Sequence, residues 1–159
     1  MGKIITKQEL RHLVPVLKEE ERTIVTTNGS FDMFHAGHLR SLKFAKEQGD
    51  ILIVGINSDK SVKKYKSKKR PIIPEEQRAE IVASIIYVDY VVLFDETTPV
   101  NLLSMIKPDI HVKGSEYKEN IPEKEVVEKY GGKVVFIERH ELKISTSEII
   151  KTIQELGEE

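Results

Sequence analysis

Short apolar runs alternate with helix-period segments along nearly the whole chain, and that alternation leaves few folds open. Strand-like runs fall at 23–28, 51–57, 90–94, 109–112 and 133–137. Helix patterns lie between them at 36–48, from Pro74 onward, at 100–106, at 123–130 and at 145–156, with a short helix or turn after Asp59. In the Pro74 helix, Ala79, Val82, Ile85 and Ile86 form the apolar face, and Glu75 and Glu76 sit near the positive end of the dipole. Gly49 is placed for a helix C-cap. A further helix over 7–20 opens the chain, with Thr6 as its candidate N-cap and Pro15 predicting a kink or an early end. Strands separated by helices of this length predict right-handed βαβ units and a parallel sheet covered on both faces. No repeat and no Pro/Gly/Ser-rich linker divides the chain. The expectation is therefore α/β: a single Rossmann-like, doubly wound domain over 1–159, with 1–22 a helical extension packed on it.

Composition narrows the function classes. The 159 residues include 25 basic and 26 acidic side chains, so net charge gives no case for nucleic acid or for a membrane surface as partner. No apolar run approaches the roughly 20 residues that span a bilayer, and 1–20 is an interrupted amphipathic stretch rather than a secretory core. Cysteine is absent, which excludes disulfides and thiolate metal sites. A cytoplasmic location is expected.

The chemistry concentrates in Thr27-Asn28-Gly29-Ser30-Phe31-Asp32-Met33-Phe34-His35-Ala36-Gly37-His38. A strand here turns through Gly29 and Ser30 into a helix start, where backbone N–H groups meet phosphate in α/β proteins. His35 and His38 stand one helical turn apart, and Gly37 between them leaves space where a side chain would stand. Alone, the pair reads as surface or capping histidines. A metal site would need further ligands, and Asp32 is the only close acid. The coincidence of strand, glycine turn and helix start favours phosphate. His12, His111 and His140 have no such setting and read as structural or surface residues.

Two further segments carry anion-binding chemistry. Lys63-Lys64-Tyr65-Lys66-Ser67-Lys68-Lys69-Arg70 holds six basic residues in eight positions. Such a run is usually a solvated face, but its place after a strand's carboxyl end favours capture of an anionic substrate. Ser145-Thr146-Ser147 opens the last helix; blandly it supplies an N-cap, and functionally its hydroxyls and N–H groups meet phosphate. Asp32, Asn57 and Asp59 are turn residues by default, and Arg78 either pairs with Glu75 or Glu76 or reaches a substrate phosphate.

The motif Gly-Ser-Phe-Asp-x-x-His-x-Gly-His resembles that of the HxGH nucleotidyltransferase superfamily, the cytidylyltransferase-like enzymes. Further blocks are similar to the heptose 1-phosphate adenylyltransferase (ADP-heptose synthase) branch. They are Asn57-Ser58-Asp59, Arg70-Pro71-x-x-Pro74-x-x-Gln77-Arg78, Val112-Lys113-Gly114-x-x-Tyr117 and Ser145-Thr146-x-x-Ile149-Ile150. The resemblance implies transfer of AMP from ATP to a heptose 1-phosphate, or of CMP from CTP to glycerol 3-phosphate or a similar small phosphate in the nearest alternative. A non-catalytic nucleotide-binding module is the reading from another class.

It implies His35, His38 and Lys66 as catalytic residues. Gly29, Ser30, Phe31, Gly37, Lys113, Gly114, Ser145, Thr146 and Ser147 join the histidines at the nucleotide, and Asp32, Asn57, Asp59, Lys63 and Arg78 fall at the acceptor. Relatives often have a glycine just before the Ser-Thr block; this chain has Lys143-Ile144, where Lys143 could itself meet a phosphate. Mg2+ held mainly by phosphates, a homodimer and a separate sugar kinase are implied as well.

Overall fold

The computed structural model describes residues 1–118, 121–138 and 144–158; His140 and Lys143 lie outside them. In chain order the elements are β1 (Lys3–Ile4), α1 (Lys7–Glu19), β2 (Ile24–Gly29), α2 (Ala36–Lys46), β3 (Ile51–Asn57), α3 (Asp59–Tyr65) and α4 (Glu75–Ala83). Then follow β4 (Tyr90–Phe94), α5 (Val100–Ile106), β5 (Ile110–Gly114), a 3-10 turn (Ser115–Tyr117), α6 (Pro122–Lys129), β6 (Lys133–Ile137) and α7 (Thr146–Leu156). The six strands form one sheet in the order β1-β4-β3-β2-β5-β6, and every pairing is parallel.

Alternate residues of the strands leave the sheet on opposite faces, and the two cores follow that period. Val25, Leu52, Val54 and Val91 meet Leu42 and Ala45 of α2 and Ala79 and Val82 of α4. Their neighbours Ile24, Ile53 and Val92 meet Leu10, Val14 and Leu17 of α1 and Leu102 and Ile106 of α5. Each fully buried aliphatic side chain contributes about 1.5–3 kcal/mol, so both faces hold the sheet rigid beneath the loops at its carboxyl end.

The N-terminal segment is more than a helical extension, because Lys3 and Ile4 pair with Tyr90 and Val91 at the sheet edge. Thr6 caps α1 in a reciprocal box: its amide donates to Glu9 Oε2, and its Oγ1 accepts from the Glu9 amide. The early end expected at Pro15 is absent: α1 runs through it to Glu19. Pro15 is exposed, as is Arg11, whose carbonyl loses its partner toward water, while Val14 and Leu17 stay anchored in the core. Helix α2 stops at Lys46, before Gly49. A Cβ on Gly49 would stand 2.7 Å from Val25 Cγ2, so close packing on β2 explains this glycine. No helix among the described residues is long and apolar enough to cross a membrane.

Candidate functional site

Strand β2 pairs with β3 on one side and β5 on the other, so the chain's winding reverses between β2 and β5. A crevice outside the carboxyl ends of strands is expected at such a point. A cavity of about 330 Å³ lies there, in the size range of small-molecule sites. Its floor is Thr27 to Phe31, one wall is Lys113, Gly114 and Glu123, and Asn57, Tyr65 and Lys66 close the other side.

The turn after β2 is tightly specified. Phe31 and Met33 both adopt left-handed backbone, at φ 50 and 52, a conformation costing non-glycine residues of order 1–3 kcal/mol each. Asp32 between them is fully buried. Its Oδ2 accepts from Arg70 Nε at 2.8 Å and the Ile72 amide at 2.9 Å, and its Oδ1 accepts from the Ile73 amide at 2.9 Å. Burial alone would push this carboxyl up; the two amide bonds and the Arg70 guanidinium outweigh it and hold the group below its ordinary range. Expected at the acceptor, Asp32 has its oxygens bonded to the loop 70–73.

Both imidazoles are oriented by the backbone. His35 is the N-cap of α2, and its Nδ1 accepts from the Gly37 amide at 3.1 Å. Nδ1 of His38 accepts from the His35 amide at 3.3 Å. In the neutral imidazoles the proton therefore sits on Nε2 of each ring, where it can be donated. The rings stack with centroids 3.8 Å apart, and Phe31 and Phe34 flank His38 at 5.3 and 5.4 Å. The space beside Gly37 is not open: a Cβ there would stand 2.8 Å from His35 Cε1, so the glycine makes room for the ring stack. Of the two rings, His38 lines the cavity.

Lys66 follows α3 and extends over the turn, with Nζ donating to Ser30 Oγ at 3.1 Å. Burial in the crevice, then the Arg70 charge, push Lys66 down, and Asp32 opposes them. Burial also pushes the Tyr65 phenol up beside Ser30. Arg78 is corrected. It is 1% exposed and pairs with neither Glu75 nor Glu76. Its Nη1 donates to the carbonyls of Ser30 (2.5 Å) and Asn57 (2.8 Å), Nη2 to Asp59 Oδ1 (2.7 Å) and Nε to the Ile73 carbonyl (2.9 Å). That fork ties the ends of β2 and β3 to the loop before α4, and it engages one oxygen of Asp59. Asn57 lines the cavity, but its Nδ2 donates to Ser61 Oγ at 2.9 Å.

Gly29, Ser30, Phe31, Lys113 and Gly114 line the cavity. Lys63 does not; it stays on the exposed face of α3. The Ser-Thr block lies beside the turn rather than in the cavity. Thr146 Oγ1 donates to the Asp32 carbonyl at 2.7 Å, Ser145 Oγ accepts from the Glu148 amide at 3.2 Å, and Ser147 is exposed. Ile144 Cγ2 is 3.6 Å from the position of a Gly37 Cβ, which brings the start of α7 against the histidines. His111 is structural, as expected. It is buried in the sheet with Nδ1 2.8 Å from Thr26 Oγ1, and desolvation, with Lys113 nearby, pushes it down to about 3. Sequence reasoning missed Glu123, Tyr65 and the loop Thr97-Thr98-Pro99 on the cavity wall. A glutamate in the first turn of a helix carries no sequence signal of burial.

Residues 26–152 match the profile of the cytidylyltransferase-like family. The chain belongs to that family. Among its curated relatives, the bifunctional protein HldE of Campylobacter jejuni subsp. doylei is 48% identical over 153 residues, covering 96% of this chain and 32% of its own. HldE of Syntrophotalea carbinolica is 42% identical over 153 residues, covering 96% and 31%. The chain thus spans about a third of the length of these relatives. A lipopolysaccharide core biosynthesis protein from Thermoplasma volcanium superposes with a TM-score of 0.60 at 28% identity, over 74% of this chain and 95% of that one. The family match begins within β2 and takes in the histidine turn, the cavity and the first half of α7. This cytidylyltransferase-like chain also carries, ahead of the match, the helix α1 that covers one sheet face.

Proposed function

We propose that the chain transfers AMP from ATP to the phosphate of a heptose 1-phosphate, forming ADP-heptose and pyrophosphate. The observation that carries the reading is the crevice at the β2/β5 reversal, where His38, the Ser30 turn and Lys66 converge above the start of α2. The two HldE relatives, the lipopolysaccharide core biosynthesis protein and the ADP-heptose synthase blocks support the choice of acceptor.

In this reading an acceptor phosphate oxygen attacks the α-phosphorus. A P–O bond forms, the bond to the bridging α–β oxygen breaks, and the electron pair leaves with pyrophosphate. The protein's task is alignment of two polyanions and stabilisation of the charge that builds on the leaving oxygens. His38 and His35 donate from Nε2, Lys66 supplies positive charge, and the amides at Gly29 to Phe31 and the α2 start receive phosphate oxygens. Ser145 to Ser147 extend the phosphate-facing edge. Lys113 and Gly114 sit at the nucleoside end.

No group of three or more His, Cys, Asp or Glu among the described residues could hold a metal ion, and Asp32 and Glu123 are each engaged by a basic side chain. A divalent cation such as Mg2+, held mainly by the phosphates, would neutralise charge on the triphosphate. An acceptor that is already a phosphate ester implies a sugar kinase reaction upstream, and the family likeness implies a homodimer.

The deciding experiment is a pyrophosphate-release assay with ATP or CTP against a panel of sugar and polyol phosphates. ADP-heptose formation from ATP is the expected result. Preference for CTP with glycerol 3-phosphate would overturn the acceptor, and nucleotide binding without turnover on any acceptor would leave a binding module.

A further inference from the structure

We propose that Glu123, held by Lys113, selects the nucleobase through its exocyclic amino group. Glu123 is 2% exposed at the first turn of α6, and its Oε1 accepts from Lys113 Nζ at 2.5 Å. Its Oε2 is buried and has no hydrogen-bond partner among the described residues. Lys113 leaves the end of β5 with its Nζ 5.0 Å from the Tyr117 ring centroid, and both members of the ion pair line the cavity.

A buried ion pair adds little stability over an apolar pair of the same volume, and a carboxylate with one unused oxygen is worse placed still. A tie between β5 and α6 alone would be served better by two aliphatic side chains. The pair makes sense as a recognition element awaiting a donor. It divides the cavity chemically: the β2 end carries Lys66 and His38, while at the β5 end Lys113 is neutralised by Glu123. Polyphosphate belongs at the first end and an uncharged base at the second. An acceptor-only oxygen there accepts from the amino group of adenine or cytosine. It repels the oxo group that hypoxanthine, guanine or uracil carries at the corresponding position. Guanine's own amino group lies elsewhere on the ring.

The proposal rests on the nucleotide-binding reading of this cavity, and equilibrium binding tests the two separately. ATP, ITP and N6,N6-dimethyl-ATP are titrated by competition with a fluorescent ATP analogue in the presence of Mg2+, for the wild-type chain and for Glu123→Gln. The wild type should bind ATP about 10–100-fold tighter than either analogue, as a bond to a charged acceptor implies. Glu123→Gln should bring the ATP/ITP ratio close to one, because an amide can present N–H to an oxo group. A uniform loss for all three nucleotides in Glu123→Gln would overturn the proposal, since a purely structural pair gives that result. Should the variant fail to fold, the wild type decides: equal affinity for ATP, ITP and dimethyl-ATP overturns base selection. No binding of any of them overturns the nucleotide reading itself.

Discussion

Gly37→Ala separates folding from chemistry at the histidine turn. A methyl at this position would stand 2.8 Å from Cε1 and 2.9 Å from Nδ1 of His35, well inside contact distance, with Ile144 Cγ2 behind at 3.6 Å. The imidazole is the part free to yield. Swinging it out forfeits the bond from the Gly37 amide to Nδ1 and the 3.8 Å stack on His38. Loss of an N-cap acceptor costs about 1 kcal/mol, and loss of part of the ring contact about 0.5 kcal/mol. Alanine in place of glycine in a helix returns about 0.8 kcal/mol. The net is a destabilisation of about 0.7 kcal/mol by these typical magnitudes, or a fall in Tm of about 2 °C for a chain of this size. Turnover should fall far more, about 10²–10³-fold, because the ring that donates from Nε2 has left its position. Thermal unfolding and pyrophosphate release on the same preparation read the two quantities. The double variant His35→Ala/Gly37→Ala tests the cause: with the ring gone, Gly37→Ala should cost no further activity and should gain stability. A folded Gly37→Ala chain with wild-type kcat, or an additive double variant, would refute the reasoning.

Three more outcomes follow from the same geometry. Asp32→Asn puts an NH2 group against an N–H donor and leaves Arg70 without its carboxylate, which should cost about 3–5 kcal/mol in urea unfolding at neutral pH. Because the folded Asp32 carboxyl lies below its ordinary 3.8, its stabilisation is complete above that value and is lost as pH falls through the depressed one. The variant should lack this part of the acid limb, and an unchanged limb would remove Asp32 as its source. His38→Ala should lower kcat about 10²–10⁴-fold; a change confined to KM would show that the ring binds ground state and transition state alike.

The sheet and most helices were legible because period-2 and period-3.6 patterns report burial on one face, and burial is what the fold satisfies. β1 was not, since two residues with a single strand neighbour leave no period to read. The same limit explains the site. His38, Ser30 and Lys113 sit next to glycines in a strand–turn context that has chemical meaning on its own. Asp32 and Arg78 have only a turn role and a Glu75 or Glu76 pairing as local readings in sequence, and neither reading names their actual partners. Besides the distant side chains Arg70 and Asp59, their partners are the amides of Ile72 and Ile73 and the carbonyls of Ser30, Asn57 and Ile73, groups every residue possesses. Side chains that bond distant backbone leave no pattern, so a structural clamp and a substrate ligand look alike until the chain is folded.

That redistribution of charge sharpens the role of Lys66. Arg70 is matched by Asp32, Arg78 by Asp59 and Lys113 by Glu123, whereas Lys66 makes no ion pair among the described residues; its Nζ donates to the Ser30 hydroxyl and lies 5.8 Å from the Tyr65 ring centroid. Burial and the adjacent Arg70 charge depress its affinity for a proton, and an entering polyanion would restore it. Binding of the phosphate substrate should therefore take up protons on the alkaline side. KM should rise with pH through the depressed Lys66 value, below the ordinary 10.5, while the bound complex stays protonated to higher pH. Lys66→Arg keeps the charge but does not titrate in this range, so it should abolish the alkaline rise in KM, whereas Lys66→Ala should have a high KM at every pH. An alkaline limb unchanged in Lys66→Arg would assign the titration to another group.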